Sequence, residues 1–244
     1  MAIREISSYH LGDMLLVFEE ETEFHRVGFY MIPWSMQKDR VLDRKFYRIN
    51  SLAQVKIAGD MYPNCYGNGQ TMRNGESANR MDYKSQKEVA TECGKEIHTY
   101  FEDARGYELE NVITYYHGED SFEMKNIFTN KAEKKVSLEM LSSFEMGDIS
   151  PFLEGIGTDA LLVHRLRSKW SHEGRLVTET VEDLQLEPSW SNWSVGVERF
   201  GQRGSMPVMK YFPFVAVEDS VNHIVWGVQL AHEASWQMEV YRQD

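Results

Sequence analysis

Cysteine is almost missing from this chain: Cys65 and Cys93 are the only two among 244 residues. One bridge is the most they can form, which excludes a secreted scaffold stapled by several disulfides and makes reduced thiols the expectation. Long apolar runs are missing as well. No segment approaches the roughly 20 apolar residues that cross a bilayer, and no basic start leads into an apolar stretch. The expectation is a cytoplasmic chain without a membrane partner. Positive charge is in short supply, with 26 Lys and Arg against 38 Asp and Glu and a net charge of -12, which argues against nucleic acid as a partner.

Several chemistries lack their signatures. His98, His117, His164, His172, His223 and His232 show no zinc-type spacing with cysteine or one another, so no metal is expected. Gly67-Asn-Gly69 lacks the strand-to-helix setting of a nucleotide loop, no Gly-x-Ser-x-Gly elbow is present, and no cofactor is expected.

What remains is strand patterning. Trp236, Met238 and Val240 alternate with Gln237, Glu239 and Tyr241, the period of a strand with one buried face. Trp226, Val228 and Leu230 repeat it one strand earlier, and Glu218-Asp-Ser-Val-Asn-His223 supplies a polar turn before them. These patterns predict a three-stranded meander over about residues 211–241. Residues 97–101, 107–116, 121–129 and 135–144 are further strands by the same logic, and their spacing points to a sandwich or barrel. Residues 158–170 are compatible with a short helix, and no long amphipathic helix appears elsewhere. With no linker, repeat or low-complexity run, residues 1–244 are expected to form a single domain.

Residues 59–80 are rich in Gly, Asn, Ser and Thr and too long for a hairpin turn. Loops of that length are usually functional or disordered, and Asp60, Tyr62, Tyr66 and Arg73 favour function here. Near the end, Gly201, Gly204, Pro207 and Pro213 predict a specifically shaped loop entering an edge strand.

One set of motifs resembles a known family. Glu198-Arg-Phe-Gly-Gln-Arg-Gly-Ser-Met-Pro-Val208, Tyr211-Phe-Pro-Phe214 and Val225-Trp-Gly-Val-Gln-Leu230 resemble the amino-terminal domain of glycoside hydrolase family 36 α-galactosidases. Asp60-Met-Tyr-Pro63, Gly69-Gln-Thr-Met-Arg-Asn74, Asp103-Ala-Arg-Gly-Tyr107, Phe128-Thr-Asn130, Asp148-Ile-Ser-Pro-Phe152 and Leu184-Gln-Leu-Glu-Pro-Ser-Trp190 follow in the family's order. The first fifty residues resemble it less. Tyr62-Pro-Asn-Cys-Tyr-Gly67 carries one residue more than the family's usual pattern, which points to a different subgroup.

The resemblance implies an all-β fold, a large antiparallel β-supersandwich of the galactose mutarotase-like type. It further implies a non-catalytic domain that precedes a catalytic barrel, supports a homo-oligomer and helps to shape a pocket for α-galactoside sugars such as raffinose or melibiose. Both catalytic aspartates of the family belong to the barrel, and no match for them is found here. A retaining glycosidase needs two carboxyl groups roughly 5 Å apart. Glu19-Glu-Glu21 and Glu218-Asp219 could supply pairs, but neighbours on a strand point to opposite faces, and the second pair reads as solvated turn charges.

Carried over by position, Asp60 and Arg73 would bind the outer part of the substrate. Carboxylates and guanidinium groups give charge-assisted hydrogen bonds to hydroxyls. The competing reading is that Asp60 caps a turn and Arg73 pairs with a carboxylate. Trp226 and Trp236 alternate as core residues should, whereas Trp190 and Trp193 lie in a polar segment and are candidates to stack on sugar or on the barrel. The rival reading is a stand-alone carbohydrate-binding or structural β-sandwich.

Overall fold

The computed structural model describes residues 3–40, 49–61, 73–153, 157–187, 195–204 and 208–243. Among them 54% lie in strands and 3% in helix, which makes the chain all-β. All strand pairs among the described residues are antiparallel. This is the antiparallel sandwich character that the period-two patterning predicts. The described residues fall into two compact units, one up to Pro151 and one from Phe152 on.

The first unit contains β1 (Ile3–Leu11), β2 (Met14–Glu21), β3 (Arg26–Pro33), β4 (Val55–Ile57), the one-turn helix α1 (Glu76–Asn79), β5 (Asp82–Ala90), β6 (Gly94–Asp103), β7 (Tyr107–Tyr116), β8 (Phe122–Asn130) and β9 (Leu138–Leu141). They pair as sheets β1-β2-β3, β5-β6-β7-β8 and β4-β9. The strands foreseen over 97–101, 107–116, 121–129 and 135–144 are β6 to β9. On β7, Tyr107, Leu109, Asn111, Ile113 and Tyr115 are buried while Glu108, Glu110 and Thr114 are half-exposed, as one core face demands.

The first two of these sheets share a core. Phe18 stacks on Phe29 at 5.6 Å between centroids, and Phe29 meets Phe122 edge-on at 6.2 Å. A polar row crosses the same core. Gln86, Thr99, Asn111 and Asn126 are successive cross-strand partners on β5 to β8. Tyr9 and Ser7 of β1 donate to Gln86 Oε1, Gln86 Nε2 donates to Thr99 Oγ1 at 2.9 Å, and Asn111 Nδ2 donates to Asn126 Oδ1 at 2.8 Å. Asn126 Nδ2 then donates to the carbonyl of Ser142 at 2.7 Å.

Glu19, Glu20 and Glu21 are buried, because β2 is the central strand of its sheet and is covered on both faces. Arg4 Nη2 bonds Glu20 Oε2 at 2.6 Å, and Arg26 Nη1 bonds Glu21 Oε2 at 3.2 Å. This run is therefore structural rather than an exposed source of carboxylate pairs.

The second unit contains β10 (Leu161–Arg167), β11 (Arg175–Thr180), β12 (Val195–Gln202), β13 (Tyr211–Asp219), β14 (Ile224–Gln229) and β15 (Trp236–Gln243). Its sheets run β11-β10-β13-β14 and β12-β15. Val163, Val181, Leu186, Phe200, Tyr211, Val215 and Trp236 form its core, with Val228, Leu230, Met238 and Val240 packed against them. Arg165, buried on β10, bonds Glu179 of β11 and Glu198 of β12. Its guanidinium lies 5.4 Å from the centre of the Phe200 ring and 5.6 Å from that of Tyr211.

Four expectations are corrected in this unit. Residues 158–170 hold strand β10 rather than a helix, because His164 and Leu166 alternate with buried Val163 and Arg165 across a paired strand. The meander ends at two strands: β13 and β14 form a hairpin, but β15 pairs with β12. Pro213 lies on an internal strand, where it sits at the register irregularity between β10 and β13, a place that needs no proline N–H. Asp219 is a turn residue as foreseen but a buried one, accepting from the backbone N–H of Val221 and Asn222 at 3.0 and 2.9 Å, while Glu218 bonds His164 at 2.8 Å. Trp236 is core, and Trp226 is half-buried on β14.

Gly201 is demanded by close approach: a Cβ there would stand 2.3 Å from the carbonyl oxygen of Trp236 on the neighbouring strand. Gly201→Ala is expected to lower stability by about 1–3 kcal/mol through overpacking against backbone that cannot yield locally. Urea unfolding measures this, and an unchanged midpoint would show that β12 and β15 are not held at this distance.

Candidate functional site

The 59–80 region is where the sequence places Asp60 and Arg73, and in the structure both flank α1. β4 ends at Ile57, and the chain turns through Ala58 and Gly59 into Asp60. The Asp60 N–H donates to the Ile57 carbonyl at 3.0 Å, and Asp60 Oδ2 accepts the Ile57 N–H at 2.8 Å. Asp60 therefore closes its own turn, as its competing reading requires. Ser77 of α1 also hydrogen-bonds its carboxyl group, and Arg105 Nη1 lies 3.6 Å from Oδ1.

Arg105 joins that carboxylate to a second. Its Nε and Nη2 both donate to Asp103 Oδ2, at 2.9 and 2.6 Å, and Nη2 also donates to Ser77 Oγ at 2.8 Å. Its guanidinium sits 5.0 Å from the centre of the Tyr107 ring. The Asp103 side chain is 1% exposed and that of Arg105 is 30% exposed, so the arginine caps a buried acid and keeps one edge toward solvent. The sequence carried a signal for this group: Asp103-Ala-Arg-Gly-Tyr107 is a turn in which Asp103 Oδ1 accepts the Arg105 N–H at 2.7 Å. What could not be read was that the turn closes against Asp60 and Ser77.

Burial works to raise the pKa of Asp60, but the hydrogen bonds from Ser77 and from the Ile57 N–H, with the charge of Arg105, outweigh it and hold the carboxyl below its ordinary value of 3.8. The Arg105 pKa is raised, first by its hydrogen bond to Asp103, against the opposing effect of burial, and then by the charges of Asp103 and Asp60. Glu20, on β2, is likewise held below its ordinary value, as bonds from Arg4 and His25 outweigh burial.

Arg73 lies three residues before α1 and is buried. Its Nε donates to Asn50 Oδ1 at 2.7 Å. The next residue, Asn74, has φ of 52°, which Asn tolerates better than most residues. Its carbonyl accepts from Asn79 Nδ2 at 2.7 Å, and Asn79 in turn accepts from Arg26 at 2.6 Å. Met61 and Glu76 clasp each other, the Met61 N–H donating to Glu76 Oε2 at 3.1 Å and the Glu76 N–H to the Met61 carbonyl at 3.4 Å.

Asp60 and Arg73 are thus brought to one short helix but engage different partners. Trp190 and Trp193 lie outside the described residues, as do Cys65, Tyr62 and Tyr66. Cys93 is an exposed thiol on the β5–β6 turn. Among the described residues no His, Cys, Asp and Glu group is arranged to hold a metal ion, and no helix is long and apolar enough to cross a membrane. What the arrangement offers chemically is a pair of fixed anchors, one carboxylate-based and one amide-based, with a single part-exposed guanidinium between the acids. No protein-family model and no curated protein matches the chain.

The depressed Asp60 pKa gives a signed expectation. Its carboxylate stabilises the fold above the unfolded value of 3.8, and that contribution is lost as pH falls through the lower folded value. Asp60→Asn is therefore expected to unfold more easily than the parent by about 1–3 kcal/mol at neutral pH. The gap should close in acid. Urea titrations at stepped pH measure it, and a gap independent of pH would separate Asp60 from this charge network.

Proposed function

We propose that this chain acts as the amino-terminal, non-catalytic domain of a retaining α-galactosidase working on terminal α-galactosyl residues of oligosaccharides. In this reading it shapes the substrate pocket, supports a homo-oligomer and works with a carboxy-terminal catalytic barrel. The observation that carries the proposal is the placement of Asp60 and Arg73. Of the two residues assigned to substrate by the resemblance, Asp60 bonds Ser77 of the short helix α1 and Arg73 lies three residues before it, while Met61 and Glu76 clasp each other. A loop held from two rigid anchors can be presented to a sugar without a large ordering cost. The antiparallel all-β architecture adds support, being the scaffold that the ordered sequence blocks imply. In this role the isolated chain binds the outer substrate weakly, and chemistry belongs to the barrel.

Two measurements test this. The purified chain is expected to release no nitrophenol from a nitrophenyl α-galactoside above the buffer rate, and the reading frame is expected to continue beyond the codon for Asp244 into a barrel with two catalytic aspartates. Hydrolysis by the chain alone would place catalytic carboxylates within it. An immediate stop codon would overturn the proposal, and raffinose binding abolished in Trp190→Ala or Trp193→Ala would then favour a stand-alone carbohydrate-binding module.

A further inference from the structure

Gln54 precedes β4 and is 1% exposed. Its backbone is held on both sides by Ser142: its N–H donates to Ser142 Oγ at 2.8 Å, and its carbonyl accepts the Ser142 N–H at 2.9 Å. Its side-chain oxygen accepts the N–H of Asn74 at 2.6 Å. That bond also fixes the orientation of the amide, because the reverse orientation would set an NH2 group against an N–H. The Nε2 group then faces a buried position with no hydrogen-bond partner among the described residues. Asn74 Oδ1, on the residue that the same 2.6 Å bond holds against Gln54, is buried and has no partner among them either.

A donor and an acceptor, both neutral, are therefore left on two residues already joined to each other. Buried amides in folded proteins are satisfied by protein or by ordered water. A cation would meet the N–H donors of Gln54, an anion would meet the lone pairs of Asn74, and an apolar group would satisfy neither. A small neutral molecule that both accepts and donates satisfies the two together. We infer that Gln54 Nε2 and Asn74 Oδ1 form an internal binding site for one water molecule, which accepts from the first and donates to the second.

The water is a structural ligand of the candidate site. It ties the approach to β4 to the turn before α1, and so steadies Arg73, the neighbour of Asn74, in its bond to Asn50. This holds whether or not the adjoining loop touches sugar, and it does not rest on the α-galactosidase reading.

The test uses Asn74→Gly, which keeps the left-handed backbone and the N–H to Gln54 while removing Oδ1, beside Asn74→Asp, which keeps an acceptor. In the parent protein the Gln54 side-chain amide protons are expected to show NMR cross-peaks to water of the sign given by a long-lived bound molecule. Those cross-peaks are expected to persist in Asn74→Asp, to vanish in Asn74→Gly, and to vanish together with a lowered urea midpoint. Their absence from the parent protein overturns the inference, as does a crystal structure showing Gln54 Nε2 bonded directly to Asn74 Oδ1. Should Asn74→Gly fail to fold, the parent spectrum and its crystal density decide alone.

Discussion

A buried polar group must find a partner or cost the fold about 1–3 kcal/mol, and this requirement organises the first unit more tightly than its apolar core does. An apolar face tolerates exchange of one aliphatic side chain for another at modest cost. The row Gln86, Thr99, Asn111 and Asn126 does not, because each member depends on a neighbour on the next strand. A one-residue slip of any of these strands would turn its polar member outward and leave the adjoining partner unpaired. Hydrogen bonds inside the core therefore help to set the register of β5 on β6 and of β7 on β8, and β1 is drawn to the row through Ser7 and Tyr9.

The second unit answers the same requirement with one arginine. Arg165 is 3% exposed in its side chain, yet Glu179 and Glu198 are each nearer 30%. Desolvation falls mainly on the guanidinium, which is the more weakly hydrated kind of cation and stacks on aromatic faces. Phe200 and Tyr211 provide those faces. The bridge joins β10 to β12, strands of different sheets, so the charged group does here what interdigitated aliphatic side chains ordinarily do in a sandwich.

Strand existence was legible over β6 to β9 and β13 to β15, but not in β1, β5 or β11, which also have one wet face. β6, β7 and β8 alternate cleanly, because their outer residues are Glu, Lys, His and Thr. Legibility failed where that alternation is overridden. β2 carries three successive glutamates, which could supply carboxylate pairs, but they are buried, and Arg4 and Arg26 lie far from them in sequence or across a turn. Residues 158–170 could be read as a short helix from Leu161, Leu162 and His164-Arg-Leu-Arg167; in fact Val163 and Arg165 are buried and His164 and Leu166 are half-buried, the period of a strand. The pairing of β15 with β12 could not be read locally, since alternation says which face is buried and nothing about which strand lies alongside. Of the candidate site, the sequence singled out Asp60 and Arg73 and held Asp103–Tyr107 only as a motif of the resemblance; the meeting of Asp60 and Arg105 at Ser77 is a long-range fact.

The net charge of -12 bears on what this scaffold can recognise. The arginines Arg4, Arg26, Arg105 and Arg165 are engaged with carboxylates of the chain itself, so these four cations are already committed inside the fold. A neutral ligand is indifferent to this field, and its recognition depends on fixed hydrogen-bonding directions and apolar faces. Fixed directions are what the α1 region supplies: Asp60 is held by three protein groups and Asn74 by two. The excess of carboxylates therefore disfavours the capture of an anion from solution.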